Sequence, residues 1–427
     1  MRLKNPALRG PRAAWRAAAR GLLWGLGIGL AVGAVGQLIA FVLFLAQGAN
    51  GSYGPYLRLG AVYVELFHRV SLEVRALPLG EGPPFSVGLG LGLLLIPSAV
   101  VVVLGLAGRR IAPSSPVGTG ATVLGLAAGY AVVPFLLSFV GDGDVTLPGS
   151  ISAAASLEIR VSMTSALAVP FAMALVAVVI STLSVPADAG SGSSGDALAA
   201  YAVRGGVRAF ALGLLLSIVG VLVLASVQPS FARAYAAVIG APDSWRGRVV
   251  VGGHAALLLP NQAMWVLVPA MGGCDEAVVD ARRTPFLCLW RVPTTLPVTV
   301  AADAGIVGVE PTYRPPPRGY LAFLLLPLVA TVVGGIRAGH GASSTRNAVV
   351  LGAASGLVFA GLVAAAIAFA RIDVRATGGF LGDSVVRFAL GPELLRGTGL
   401  AAVWGVAGGA VGGALSRYVR GTGTSTE

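Results

Sequence analysis

The chain has 427 residues, 56% of them hydrophobic and 11% charged, with a mean hydropathy of +0.83. So large an apolar fraction excludes a soluble globular protein, a disordered chain and a small disulfide framework. The net charge of +12 is spread between apolar blocks rather than gathered in one basic domain, so it points to membrane topology and away from nucleic-acid binding.

The first twenty residues carry Arg2, Lys4, Arg9, Arg12, Arg16 and Arg20 without an acid. The apolar run that follows, 21–46, is too long for a signal-peptide core and reads as a retained helix. Further runs of spanning length lie at 86–107, 118–140, 162–183, 207–227, 319–336, 348–370 and 398–416. The expectation is an all-α, polytopic helical membrane protein with about eight transmembrane helices. Taken together, the segments 1–20, 108–117, 184–206, 337–347 and 417–427 hold 13 bases and 3 acids. The positive-inside rule then places both termini on the inner side of the cytoplasmic membrane.

Between the first two runs, the segment 55–82 carries Glu65, Arg69 and Glu73 four residues apart. In a helix they share one face, as an interfacial amphipathic helix or a solvated outer one would have them.

The glycines Gly25, Gly29 and Gly33 on the first helix, and Gly405, Gly409 and Gly413 on the last, repeat at a spacing of four. Small residues on one face let helix backbones approach closely.

The stretch 249–271 is long enough to span but is divided by Pro260 and Asn261. Proline removes a backbone donor and clashes with the preceding turn, and each half is too short to cross alone. A broken, re-entrant hairpin fits, with a kinked ordinary span as the alternative. A full crossing would put the loop from Arg337 to Arg346 outside, against the positive-inside rule. Irregular backbone at membrane depth must be buried or line a cavity, which makes Pro260, Asn261 and Gln262, with Trp265 beside them, the candidate functional element. Just beyond lie both cysteines, Cys274 and Cys288, a candidate disulfide if the loop is extracytoplasmic and otherwise free thiols. His68, His254 and His340 are scattered, so no metal site is expected.

The chain also resembles itself. Leu94-Leu95-Ile96-Pro97 opens one span and Leu324-Leu325-Leu326-Pro327 another, each followed by arginines and then by a span ending near aspartate. Two parallel four-helix repeats are expected, 1–185 and 198–427, joined by a Gly/Ser-rich linker at 186–197, with an extracytoplasmic insertion at 228–318.

No ionisable residue lies well inside a proposed span, which disfavours proton-coupled transport. No phosphate loop, zinc-protease motif or nucleophile elbow occurs, so neither an enzyme nor a cofactor is expected.

Leu259-Pro260-Asn261 followed by Trp265, after five basic-flanked spans, resembles the actinobacterial PerM-like polytopic membrane proteins. The Arg-rich, nearly Lys-free composition suits a high-GC actinobacterium. Where that family carries a Gly-Pro-Gly-Phe-like element, Val268-Pro269-Ala270-Met271-Gly272-Gly273 stands here. The resemblance implies a non-enzymatic role supporting cell-division or envelope machinery through contacts with other membrane proteins. The rival expectation is a permease or channel for a neutral or lipidic solute.

Overall fold

The computed structural model describes residues 9–46, 52–78, 85–112, 116–145, 155–183, 194–227, 245–293, 298–301, 305–308, 312–316, 318–378 and 385–421. The chain forms two compact units: Met1–Thr182 with Pro242–Val250 and Ala376–Asp383, and Leu183–Ala241 with Val251–Arg375 and Ser384–Glu427. Among the described residues, seven helices are long and apolar enough to cross a membrane: Pro11–Ala46, Val117–Gly141, Met163–Leu183, Leu198–Ser226, Arg318–Gly339, Thr345–Ala370 and Leu394–Tyr418. They fit a multi-pass membrane protein. Large apolar side chains on them, such as Leu30, Leu124, Leu215 and Val403, are exposed, as lipid-facing positions would be.

In the first unit, α1 (Arg9–Ala46) has 38 residues, about 57 Å at helical rise, so it outreaches a bilayer core. The shorter α2 (Gly54–Phe67) turns back along its far end. There the rings of Phe41 and Phe44 meet Tyr53 and Tyr56 edge-on. At Arg69 the backbone takes φ 55° and the Val70 N–H donates to the Glu65 carbonyl at 3.0 Å, closing α2 with a Schellman-type cap.

The chain leaves that cap as β1 (Leu72–Pro78), which pairs antiparallel with β2 (Phe85–Gly90) and with β4 (Ala155–Val161). A short β3 (Gly143–Val145) pairs with β4, so the strand order is β3-β4-β1-β2. The helices α3 (Leu95–Ile111), α4 (Pro116–Gly141) and α5 (Met163–Leu183) complete the unit. A buried seam of Val62, Val70, Leu72, Ile159, Val161 and Ala166 ties strands to helix ends.

The second unit repeats the order of elements. After α6 (Ser194–Val227) comes α7 (Trp245–Ala270), followed by the hairpin β5 (Cys274–Val279) and β6 (Arg282–Cys288). Short strands follow: β7 (Val292–Pro293) pairs with β10 (Tyr313–Arg314), and β8 (Val298–Ala301) with β9 (Gly305–Gly308). A 3-10 turn, Arg318–Leu324, leads into α8 (Leu325–Gly339), then α9 (Thr345–Ala370), β11 (Ile372–Gly378), β12 (Val385–Pro392) and α10 (Leu394–Gly421). The strand order here is β11-β12-β5-β6. The cap of α7 matches that of α2, with φ 95° at Gly272 and the Gly273 N–H donating to the Val268 carbonyl at 3.0 Å.

Four expectations are corrected. The protein is mostly helical but not all-α, because the connections between helices form strands. The run 86–107 is not one helix: its Gly-rich start is β2, and α3 begins at Leu95, with Pro97 in the first turn where a missing N–H costs little. The segment 55–82 is not one helix either, so Glu65, on α2, and Glu73, on β1, share no helical face.

Finally, the stretch 249–271 is not broken, since α7 runs without interruption through Pro260 and Pro269. A proline removes one ladder bond, a local loss, and here Leu257, Ala263, Met264, Leu267 and Val268 around it are buried. Of the expected linker at 186–197, positions 194–197 open α6 and the rest lie outside the described residues, as do positions 228–244 of the expected insertion.

Candidate functional site

The two glycine rows act as helix seams. On α1, a methyl group at Gly25 would overlap the Leu126 carbonyl, while one at Gly29 would press on Val133 and one at Gly33 on Leu137, all on α4. The facing glycines Gly125 and Gly129 meet the backbone of Ala18 and Leu22 in the same way. On α10, Gly405, Gly409 and Gly413 lie against the carbonyls of Gly356, Gly352 and Ala348 on α9. In both places backbone rests on backbone, which leaves no room for a path between the paired helices.

The expected element on α7 is largely packed inside the second unit. Pro260 is buried and Asn261 is 4% exposed, while Gln262 is half-buried. Trp265 donates its indole N–H to the Ala370 carbonyl at the end of α9, 3.1 Å away. Trp404 on α10 does the same to the Met271 carbonyl at 2.9 Å. These two bonds fix the end of α7 against its neighbours.

Cys274 and Cys288 stand directly opposite each other on β5 and β6 with their Cα atoms 4.4 Å apart, and their sulfurs are bonded. The hairpin between them turns at Asp280 and Ala281, both with positive φ, the pattern of a two-residue type I′ turn. Glu276 on β5 accepts from Arg371, the residue between α9 and β11, at 2.8 Å, an ion pair in which both side chains are largely buried.

Sequence reasoning missed the buried acids. In the first unit Glu65 is fully buried, and neither carboxylate oxygen has a hydrogen-bond partner among the described residues. Burial pushes its carboxyl up to about 8, so it is protonated at neutral pH. One turn on, His68 is also buried. Its Nδ1 lies 2.7 Å from the Val64 carbonyl and its Nε2 lies 2.6 Å from the Tyr130 hydroxyl. A carbonyl only accepts, so Nδ1 carries the proton and Nε2 accepts from the tyrosine. Burial pushes His68 down to about 4, which keeps the ring neutral.

In the second unit Asp275 on β5 repeats the first case, fully buried with both oxygens unpartnered among the described residues and its carboxyl raised by burial. The signal was present at Glu65, an acid inside the apolar run Ala61-Val62-Tyr63-Val64-Glu65-Leu66-Phe67.

Chemically, the cluster holds neutral groups satisfied inside the fold or sealed from water. The chain matches no family model, no curated protein and no solved structure.

Proposed function

We propose that the chain is a protein of the cytoplasmic membrane that works without catalysis, as an accessory or scaffold for division or envelope machinery. The observation that carries this reading is the division of labour within each unit. Paired helices close on one another through glycine, and the connections at one end of them are built into strands. A closed bundle with an ordered sheet at its surface is suited to holding partners rather than passing a solute.

Several features support eight crossings with both termini inside, the unbroken α7 standing at the place of α2 in the order of elements and, like it, not among the crossings. With 17 residues, α3 rises about 25 Å, nearly a bilayer core. Basic residues end α3 at Arg109 and Arg110 and α8 at Arg337, on the ends away from the strands. The strands then face the exterior, the compartment in which a disulfide persists. The matching element orders and the identical caps of α2 and α7 support two parallel repeats.

A photo-cross-linking residue in place of exposed Trp290, beside the disulfide, tests the scaffold. Cross-links to division or envelope-assembly membrane proteins in living cells are expected. Adducts to lipid and to the chain itself alone would contradict it.

A permease for a lipidic solute is the second reading, favoured by an apolar groove between α1 and α3. Flux of a lipid probe in reconstituted vesicles, abolished by Ala99→Trp in the groove wall, would support it over the scaffold.

A further inference from the structure

The first unit holds an apolar groove of about 610 Å³ between α1 and α3, with Ile28, Val32 and Val100 as its floor and Trp24 and Val103 on its exposed walls. Its α1 side runs from Leu23 to Val35, about 18 Å at helical rise, enough to line one leaflet of a bilayer core of roughly 30 Å.

The groove is not required by the architecture. In the second unit the helices at the same places in the order, α6 and α8, meet through small residues, Gly205 and Ala209 against Gly334. In the first unit Gly27 faces open space, with nothing near the position of an added Cβ.

Each wall ends in an arginine. On α1 the stripe 20, 24, 27, 31, 35 is one helical face, and it places Arg20 directly below Trp24. On α3 the lining positions 96, 99 and 103 share a face with Arg110, which stands two turns beyond Val103. The two arginines lie at the same end of the unit. Only four residues separate the end of α3 at Ile111 from the start of α4 at Pro116, and positions 122–126 of α4 pack on Ala18 and Gly21 of α1. Both arginines are exposed and neither joins an ion pair among the described residues. The first turns of α1 and α4 offer them no acid.

We propose that this groove is a binding site for one anionic phospholipid of the leaflet facing the N-terminus, with an acyl chain along Trp24, Gly27 and Ala31 and the phosphate between Arg20 and Arg110. An apolar trough of leaflet depth ending in two free guanidinium groups complements such a lipid in shape and charge. A partner helix would cover the trough but leave both arginines unpaired. The site goes beyond the scaffold reading and needs only that α1 and α3 lie in the bilayer.

Native mass spectrometry of the purified full chain, titrated with phosphatidylglycerol or phosphatidylcholine, tests it. The expected result is one tight phosphatidylglycerol per chain, with phosphatidylcholine weaker by about tenfold or more. Gly27→Leu and, separately, Ala31→Leu fill the trough and should abolish the tight site for both lipids while leaving Tm unchanged. The double variant Arg20→Gln, Arg110→Gln should keep binding but lose the preference for the anionic lipid. Equal binding of the two lipids by the unaltered chain, or undiminished binding by both filled variants, would overturn the proposal.

Discussion

Glu65 and His68 sit one turn apart at the end of α2, shifted by burial in opposite directions. For Glu65, the folded value of about 8 lies above the ordinary 4.5. Between those values the folded state holds a proton that the unfolded chain has released. Its contribution to stability is therefore complete below pH 4.5 and is lost as pH rises through 8, at up to about 1.4 kcal/mol per pH unit. For His68 the window runs from 6.5 down to about 4 and stability falls as pH drops through it. Above pH 6.5 His68 no longer contributes, while Glu65 and Asp275, both raised by burial, act in the same direction, so Tm in detergent should fall between pH 6.5 and 8, and Glu65→Gln should make that slope shallower. An unchanged slope in the variant would show that Glu65 is not the group responsible. At the seams, Gly409→Leu must push α9 and α10 apart, whereas Gly361→Leu on α9 meets nothing within van der Waals contact. Overpacking of this kind costs about 1–3 kcal/mol, so thermal unfolding should find the first variant clearly destabilised and the second near neutral.

Among the elements, the apolar helices were legible because hydropathy blocks of spanning length leave few alternatives, and the Leu-Leu-x-Pro starts marked where α3 and α8 begin. The strands were missed although their signal was present. Residues 72–76 alternate Leu, Glu, Val, Arg, Ala, and 372–376 alternate Ile, Asp, Val, Arg, Ala, a period of two that windows of helical length average away. The break at Pro260 was over-read because proline is a strong local signal, while the packing that carries the helix through it comes from residues distant in sequence, such as Ala370. Pro260→Ala should therefore leave the fold intact and hold or raise Tm, by the restored ladder bond. A loss of folding would favour a broken segment after all. For the hairpin of β5 and β6, Cys274→Ala with Cys288→Ala should lower stability by about 3 kcal/mol, read as a drop in Tm that reducing agent reproduces in the unaltered chain.

At the scale of the whole molecule, we propose one topology: helices cross the bilayer, the strands lie outside, and the turns between α3 and α4 and between α8 and α9 lie inside. The two native cysteines are bonded and no other cysteine occurs, so a cysteine placed elsewhere is the single free thiol of the chain. Arg160 on β4, Arg283 on β6 and Ser343 in the turn before α9 are all exposed. The most direct measurement is labelling of Arg160→Cys, Arg283→Cys and Ser343→Cys with an impermeant maleimide in intact cells and after lysis. The account predicts labelling at positions 160 and 283 in intact cells and at 343 only after lysis. Labelling at 343 in intact cells, or protection of 160 and 283 until lysis, would contradict it.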